Sequence, residues 1–188
     1  EGLKNAFVEE AEKLGLEIVA EEAFAEGDKD FKAQMTNIAA KDPDVVFCPI
    51  YYGEAGLAIT AARQAGCTAT FLGGDGFGSV KDYASAEDLE GTVYCSGYAP
   101  GTESVAQFEK DYCETYKVDT VPNMFAPLAY DAAMLMACGL KAAEDKGLTA
   151  GTDEYKQAVI EAINTMNGVE GVTGSYSFDE YNNPIKSV

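Results

Sequence analysis

The first 97 residues alternate between helical patterns and short apolar runs, and this alternation restricts the fold more than any other feature. Three helical segments and four strand-like runs follow one another: helices over 1–14, 28–41 and 54–64, strands over 16–24, 44–50, 68–74 and 91–98. The apolar runs have the length and composition of buried strands. Such alternation predicts an α/β fold, in which helices cover both faces of a parallel sheet. Asp28 is the predicted N-cap of the second helix.

The pattern changes after residue 98. Three helices follow in succession, over 102–116, 123–145 and 152–166, and a single final strand is predicted over 172–179. Thr152 is the predicted N-cap of the last helix. Three helices and one strand cannot cover their apolar faces alone, so this second part needs a sheet from elsewhere.

Charge and composition exclude several classes of function. The chain has 188 residues, 47% of them hydrophobic, and a formal net charge of −19 with only 13 Lys and Arg. This charge argues against nucleic acid or an anionic membrane surface as a partner. Histidine is absent, which excludes Ser-His-Asp and Cys-His nucleophile systems. No cofactor or metal is predicted, and most of the five cysteines, including Cys48, Cys95 and Cys138, are expected to be buried thiols.

The stretch "FLGGDGFGS" places Asp75 among four glycines after an apolar run, at the predicted carboxyl end of a strand. It has no GxGxxG register, and its charge would repel a pyrophosphate, so nucleotide binding is disfavoured. A phospho-acceptor site is disfavoured too, because it would need a lysine close after the end of a strand, and no lysine is placed there. Two interpretations stay open: Asp75 caps the following helix, or it receives a cation in a cleft.

A second strand end, "PIYYGEAG", carries Tyr51 and Tyr52 before a helix start. Ligands of parallel sheets bind outside the carboxyl ends of the strands. Either one tyrosine packs inward while the other lies on the surface, or both rings cover the apolar body of a ligand.

Several stretches of the chain together resemble the solute-binding proteins of branched-chain amino-acid ABC transporters, and they occur in the same order as in that family. These are the Leu/Ile/Val-binding type, within the periplasmic binding protein fold type I. The matching stretches cover almost the whole chain: "EGLKNAFVEEAEKLG", "GDKDFKAQMTNIAAKDPDVVFCPIYYGEAGLAITAARQAG", "FLGGDGFGS", "LEGTVYCSGYAP", "FEKDYCETY", "LAYDAAMLMACGLKAAE" and "GVTGSYSFDEYNNP".

The resemblance implies two α/β lobes that are joined by three strands and close over a small ligand. Residues 1–97 would form most of the carboxyl-side, Rossmann-like lobe, 98–179 an incomplete and mostly helical part of the amino-side lobe, and 180–188 a return crossover. The first part of the family sequence has no counterpart here, and the opening helix lacks an initiator Met. We therefore expect a fragment or a processed product, completed by the missing amino-side segment or by another chain.

The resemblance also implies a binding site for an amino acid. Asp75 matches the acidic residue that holds the ligand ammonium, Tyr51 matches an aromatic beside it, and Phe125 matches an aromatic of the side-chain pocket. Tyr52 and Phe77, from the same two loops as Tyr51 and Asp75, complete the candidate set. Asp75 is shorter than the glutamate of some members, which leaves the preferred amino acid open.

The implied protein is not an enzyme but an extracytoplasmic receptor that delivers its ligand to a membrane ABC permease. A sensory module of the same fold in a signalling receptor is the alternative. An enzyme of doubly wound fold is disfavoured by the absence of histidine and of a nucleotide loop. The chain alone is expected to bind amino acids weakly, or to fold with a partner that supplies the missing strands.

Overall fold

Three short parallel strands form the centre of the first half of the chain in a computed structural model, which describes residues 1–25 and 27–186. The chain divides into two compact units, Glu1–Cys95 and the residues from Ser96 onward. The first unit contains α1 (Gly2–Lys13), α2 (Lys32–Ala39), β1 (Val45–Cys48), α3 (Tyr52–Gln64), β2 (Thr70–Gly73) and β3 (Val93–Tyr94), with short 3-10 helices at Asp75–Phe77 and Val80–Asp82.

The parallel sheet has the order β1-β2-β3, and the predicted α/β class is confirmed. Its core combines the fully buried Phe71 of β2 with Val46 of β1 and with an alanine-rich face of α3. That face presents Ala55, Ala58 and Ala62, which repeat at helical spacing. Burying a side chain such as Phe71 contributes about 1.5–3 kcal/mol.

The predicted strand at 16–24 is wrong, because this stretch has no regular secondary structure. Ala20 packs against the core, but Val19 and Phe24 are exposed, and β1 pairs only with β2 in the sheet described. Side chains hold the stretch instead: Lys4 pairs with Glu21 at 2.9 Å. A strand exists only where a neighbour supplies its ladder of hydrogen bonds, and none of the described residues does so here.

The predicted cap at Asp28 is also wrong. Its carboxylate accepts a hydrogen bond from the Ala25 amide at 2.8 Å, and α2 begins four residues later with Phe31 at the N-cap position. The Lys32 amide donates instead to Asp30 Oδ1 at 3.1 Å.

The cysteines differ in burial more than the sequence suggests. All five are free thiols, of which Cys48 and Cys67 are buried while Cys95 and Cys138 are exposed. Burial raises the pKa of the Cys48 thiol to about 12. The expectation of burial is wrong for Cys95, which follows the exposed edge strand β3, and for Cys138, which lies on an uncovered side of a helix.

The second unit consists of helices and a small antiparallel sheet. It contains α4 (Ala106–Tyr116), α5 (Phe125–Asp145), α6 (Asp153–Asn164), β4 (Val169–Gly171), β5 (Gly174–Phe178) and β6 (Pro184–Ile185). The predicted Thr152 cap is confirmed, since its hydroxyl accepts the Tyr155 amide at 3.2 Å. The assignment of the two units to lobes stays a prediction, and residues 187 and 188 of the predicted return segment lie outside the described residues.

The strand predicted at 172–179 is confirmed as β5, but it is not single: β4 and β5 form a hairpin through a turn at Val172 and Thr173. The Asp131 carboxylate of α5 holds this turn. It accepts hydrogen bonds from the amides of Val172 and Thr173 at 2.7 and 2.9 Å, and from the hydroxyls of Thr173 and Tyr176 at 2.6 and 3.0 Å. A Cβ at Gly171 would lie 2.6 Å from the Asp131 carboxyl carbon, so the approach requires glycine.

Replacing Asp131 by alanine should lower the free energy of unfolding by about 3 kcal/mol, because buried donors of the turn lose a charged acceptor. Asp131 is only 1% exposed, so water cannot replace the lost oxygen atoms. Asp145→Ala is the matched control, since among residues 1–25 and 27–186 this carboxylate of the same helix pairs only with the exposed Lys141. Its effect should stay within about 0.5 kcal/mol in urea unfolding followed by circular dichroism. Equal losses for the two variants would contradict this assignment.

Candidate binding site at the carboxyl edge of the parallel sheet

Two loops meet where β1 and β2 end. Cys48 and Gly73 are the last residues of these strands, and they are partners in the parallel register. The loop of residues 49–51 after β1 and the loop of residues 74–79 after β2 therefore start side by side. This edge is the usual ligand-binding edge of a parallel sheet.

Gly76 brings the two loops into contact. A Cβ at this position would lie 2.9 Å from the Ile50 carbonyl oxygen and 3.1 Å from Cδ1 of Tyr51. Contacts under 3.0 Å with backbone do not occur for real Cβ atoms, so the loops approach this closely only because residue 76 is glycine.

Asp75 is exposed at this edge and is the first residue of the 3-10 helix Asp75–Phe77. Gly74 occupies the N-cap position of that helix, and no side chain caps it. Among the described residues, the Asp75 carboxylate forms no hydrogen bond or ion pair. The capping alternative is therefore excluded for this structure, and the carboxylate is available for an external cation.

The two tyrosines of the neighbouring loop have different environments. Tyr51 is 66% exposed and is the N-cap residue of α3, directly beside Gly76. Tyr52 is half-buried, packs against the core, and has its ring centroid 5.5 Å from that of Tyr83. The sequence left two alternatives open for these tyrosines. The structure agrees with the first, in which one tyrosine packs inward and the other lies on the surface. Tyr51 is the ring that faces solvent near Asp75.

Phe77 and Phe125 are the two remaining candidate residues. Phe77 is fully buried, and a Cβ at Gly73 would lie 2.4 Å from its ring. Its ring is not exposed beside Asp75, and it serves the candidate site only by supporting the loop. Phe125 belongs to the second unit, where it begins α5 and is 39% exposed. Its amide donates to Asn123 Oδ1 at 3.0 Å, which fixes the helix start.

A separate cavity of about 200 Å³ lies in the first unit and includes neither Asp75 nor Tyr51. The hydroxyl of Thr92 is buried and has no hydrogen-bond partner among the described residues. No signal in the sequence pointed to this cavity, which is lined by Phe77, Val80, Lys81, Leu89, Thr92 and Tyr94. In residues 1–25 and 27–186, no cluster of Cys, Asp or Glu side chains is arranged to hold a metal ion.

Comparison with known proteins identifies the family. A family model described as "Periplasmic binding protein" matches residues 1–187. The chain belongs to this family, and its fold is that of the type I periplasmic binding proteins.

Several relatives are named for the branched-chain amino acids that they bind. Leu/Ile/Val-binding protein homolog 3 of Brucella melitensis is 27% identical over 181 residues, which are 95% of this chain and 46% of the relative. A leucine binding protein of Thermotoga maritima is 27% identical and superposes with a TM-score of 0.83, covering 98% of this chain and 51% of that structure.

A branched-chain amino acid transporter substrate binding protein of Streptococcus pneumoniae, solved in complex with isoleucine, is 31% identical. Its TM-score is 0.75, and the match covers 95% of this chain and 50% of that structure. The chain thus spans about half the length of the relatives that it matches.

Gly76→Ala should disturb the candidate site, because its Cβ would meet the Ile50 carbonyl and the Tyr51 ring. The overpacking should lower the free energy of unfolding by about 1–3 kcal/mol. Gly74→Ala is the control: a Cβ there meets nothing within 4 Å, and φ of −85° is accessible to alanine. Urea unfolding should show Gly74→Ala unchanged or stabilised by about 0.5 kcal/mol. The proposed contact is absent if both variants are equally stable.

Proposed function

We propose that this chain supplies the ammonium-binding part of a solute-binding component of an ABC importer. The ligand is a branched-chain or related apolar amino acid. The observation that carries the proposal is the exposed Asp75 carboxylate, which has no partner among the described residues and lies at the carboxyl edge of the sheet beside Tyr51.

The chemistry of these two side chains suits an amino acid. A primary ammonium has three donors, and a hydrogen bond between charged groups contributes about 1.5–3 kcal/mol. The exposed face of Tyr51 can cover an apolar side chain.

The relatives support the ligand class and the role. The Streptococcus protein was solved with isoleucine, and the Brucella relative is named for leucine, isoleucine and valine. In our proposal the whole protein works outside the cytoplasm, has no catalytic activity, and delivers its ligand to a membrane permease. Closure of two lobes around the ligand is stabilised only as far as the ligand prefers the closed form.

The chain alone should bind weakly. One charge-assisted bond provides less than the roughly 4 kcal/mol that a dissociation constant of 1 mM requires. We propose that a further polypeptide segment or another chain supplies the carboxylate-binding groups and completes the fold of the second unit. Tight binding of leucine by these 188 residues would contradict this part of the proposal.

Replacing Asp75 by alanine should reduce the affinity for isoleucine at least tenfold, because the ligand ammonium loses the charged acceptor that we propose for it. Titration of the isotopically labelled chain, followed by NMR, should show shifts at the amides of residues 51 and 74–78. Asp82→Ala is the matched control, since Asp82 is an exposed carboxylate of the same region outside the two loops. If Asp75→Ala retains the affinity of the unmodified chain, the ammonium site is elsewhere.

A further inference from the structure

The cavity of about 200 Å³ beside the edge strand β3 has no role in the proposed function. Three segments of the first unit build it: the turn after β2, the 3-10 helix Val80–Asp82, and the residues that lead into β3. Asp75 and Tyr51 do not line it. An occupant of this cavity would therefore be held apart from the candidate ammonium site.

Backbone contacts hold the walls of the cavity in place. The Thr92 amide donates a hydrogen bond to the Leu89 carbonyl at 3.0 Å, which fixes these two lining residues in one turn. Tyr94 is the partner of Gly73 in the parallel sheet, and the Phe77 ring packs directly on that glycine. The cavity is therefore formed before any ligand enters, which is typical of small-molecule sites.

The Thr92 hydroxyl gives the cavity an unusual polar group. In the part of the chain that the structure describes, it is the one buried side-chain oxygen or nitrogen without a hydrogen-bond partner. Buried hydroxyls nearly always have a partner, because leaving one unpaired costs free energy. The neighbouring walls are formed by Phe77, Val80 and Leu89, whose side chains offer no acceptor. An oxygen atom of a bound ligand would supply the missing partner.

Lys81 adds a positive charge where the cavity meets solvent. This lining residue is exposed, and its ammonium forms no hydrogen bond or ion pair with the described residues. An ammonium and a hydroxyl can both donate hydrogen bonds, and a carboxylate can accept from both. The polar groups of the cavity thus complement a carboxylate, whereas the ammonium of an amino acid would be repelled by Lys81.

The size and the walls of the cavity favour an aromatic ligand body. An apolar cavity of about 150 Å³ is large enough for benzene, so this larger one has room for a ring that carries a short polar group. Tyr94 lines the cavity and is 42% exposed, with its ring centroid 6.2 Å from that of Phe77. The free face of the Tyr94 ring can pack against a second aromatic ring.

We propose that this cavity is a second ligand site, which binds a small aromatic monocarboxylate such as phenylacetate. The ring of the ligand lies against Tyr94, and its carboxylate accepts hydrogen bonds from the Lys81 ammonium and the Thr92 hydroxyl. The site goes beyond the proposed function, because neither the Asp75 carboxylate nor the Tyr51 ring takes part in it.

Titration of the isotopically labelled chain with phenylacetate, followed by NMR, tests the site. The amides of Gly78, Lys81, Thr92 and Tyr94 should shift and saturate. The dissociation constant should be on the order of 1 mM, as for a ligand of about ten non-hydrogen atoms and ordinary efficiency. Phenylacetamide has nearly the same shape without the negative charge, so it should bind about tenfold more weakly.

Two variants and a control assign the polar contacts. Thr92→Val should weaken phenylacetate binding about tenfold, yet the urea midpoint of the free chain should stay equal or rise, because an unpaired buried hydroxyl is removed. Lys81→Met should also weaken binding about tenfold. Lys41→Met is the matched control, since Lys41 is an exposed lysine of the same unit that does not line the cavity.

The proposal is overturned if phenylacetate shifts none of these amides, if phenylacetamide binds equally well, or if Lys81→Met and Lys41→Met bind alike. Asp75→Ala should bind phenylacetate like the unmodified chain, and phenylacetate should leave the Asp75 carboxyl resonance unchanged. A chain that binds phenylacetate but not isoleucine would contradict the proposed function and leave this second site intact.

Discussion

The close contact between Gly76 and the backbone of Ile50 is the constraint on which the candidate site depends. Parallel pairing brings the ends of β1 and β2 together, and the absent side chain lets the two loops touch. The short 3-10 turn then gives its residues opposite surroundings, because Phe77 turns into the core while Asp75 stays in solvent. Burial of the phenylalanine thus anchors the turn that presents the carboxylate.

Two aspartates show how differently the same side chain is used in this protein. Asp131 is buried and accepts four hydrogen bonds, so its charge is fully engaged in holding a hairpin to α5. Asp75 is exposed and engages none of the described residues. A satisfied carboxylate stabilises a fold, whereas an unengaged one at the ligand-binding edge of a sheet is available for function. This contrast supports the choice of Asp75 as the ammonium acceptor.

Local patterns in the sequence predicted the elements whose causes are local. Helices α1, α3 and α6 follow from apolar spacing, and the Thr152 cap follows from its place before a helical run. The glycines around Asp75 identified the loop, but they did not reveal that Gly76 meets the neighbouring loop rather than a ligand. The split between Tyr51 and Tyr52 required coordinates, because adjacent residues at a helix start have no periodicity that separates them.

Two of the features that sequence reasoning missed depend on distant residues. The turn at Val172 and Thr173 is set by Asp131, which lies 41 residues earlier and whose place inside an apolar helix gives no sign of this role. The stretch 16–24 has strand composition, but strand formation depends on a neighbour that the described residues do not provide. The composition of a segment indicates how much apolar surface it can bury, whereas its secondary structure also depends on the segments that pair with it.

The central claim, that the Asp75 carboxylate receives a ligand ammonium, is tested most directly at the carboxyl carbon itself. The ¹³C resonance of the Asp75 side chain would be followed by NMR while isoleucine, or 3-methylpentanoate that lacks only the ammonium, is added. The account predicts that isoleucine shifts this resonance and that the deaminated acid leaves it unchanged. Equal shifts with both compounds, or no shift with isoleucine at concentrations that perturb the Tyr51 amide, would contradict it.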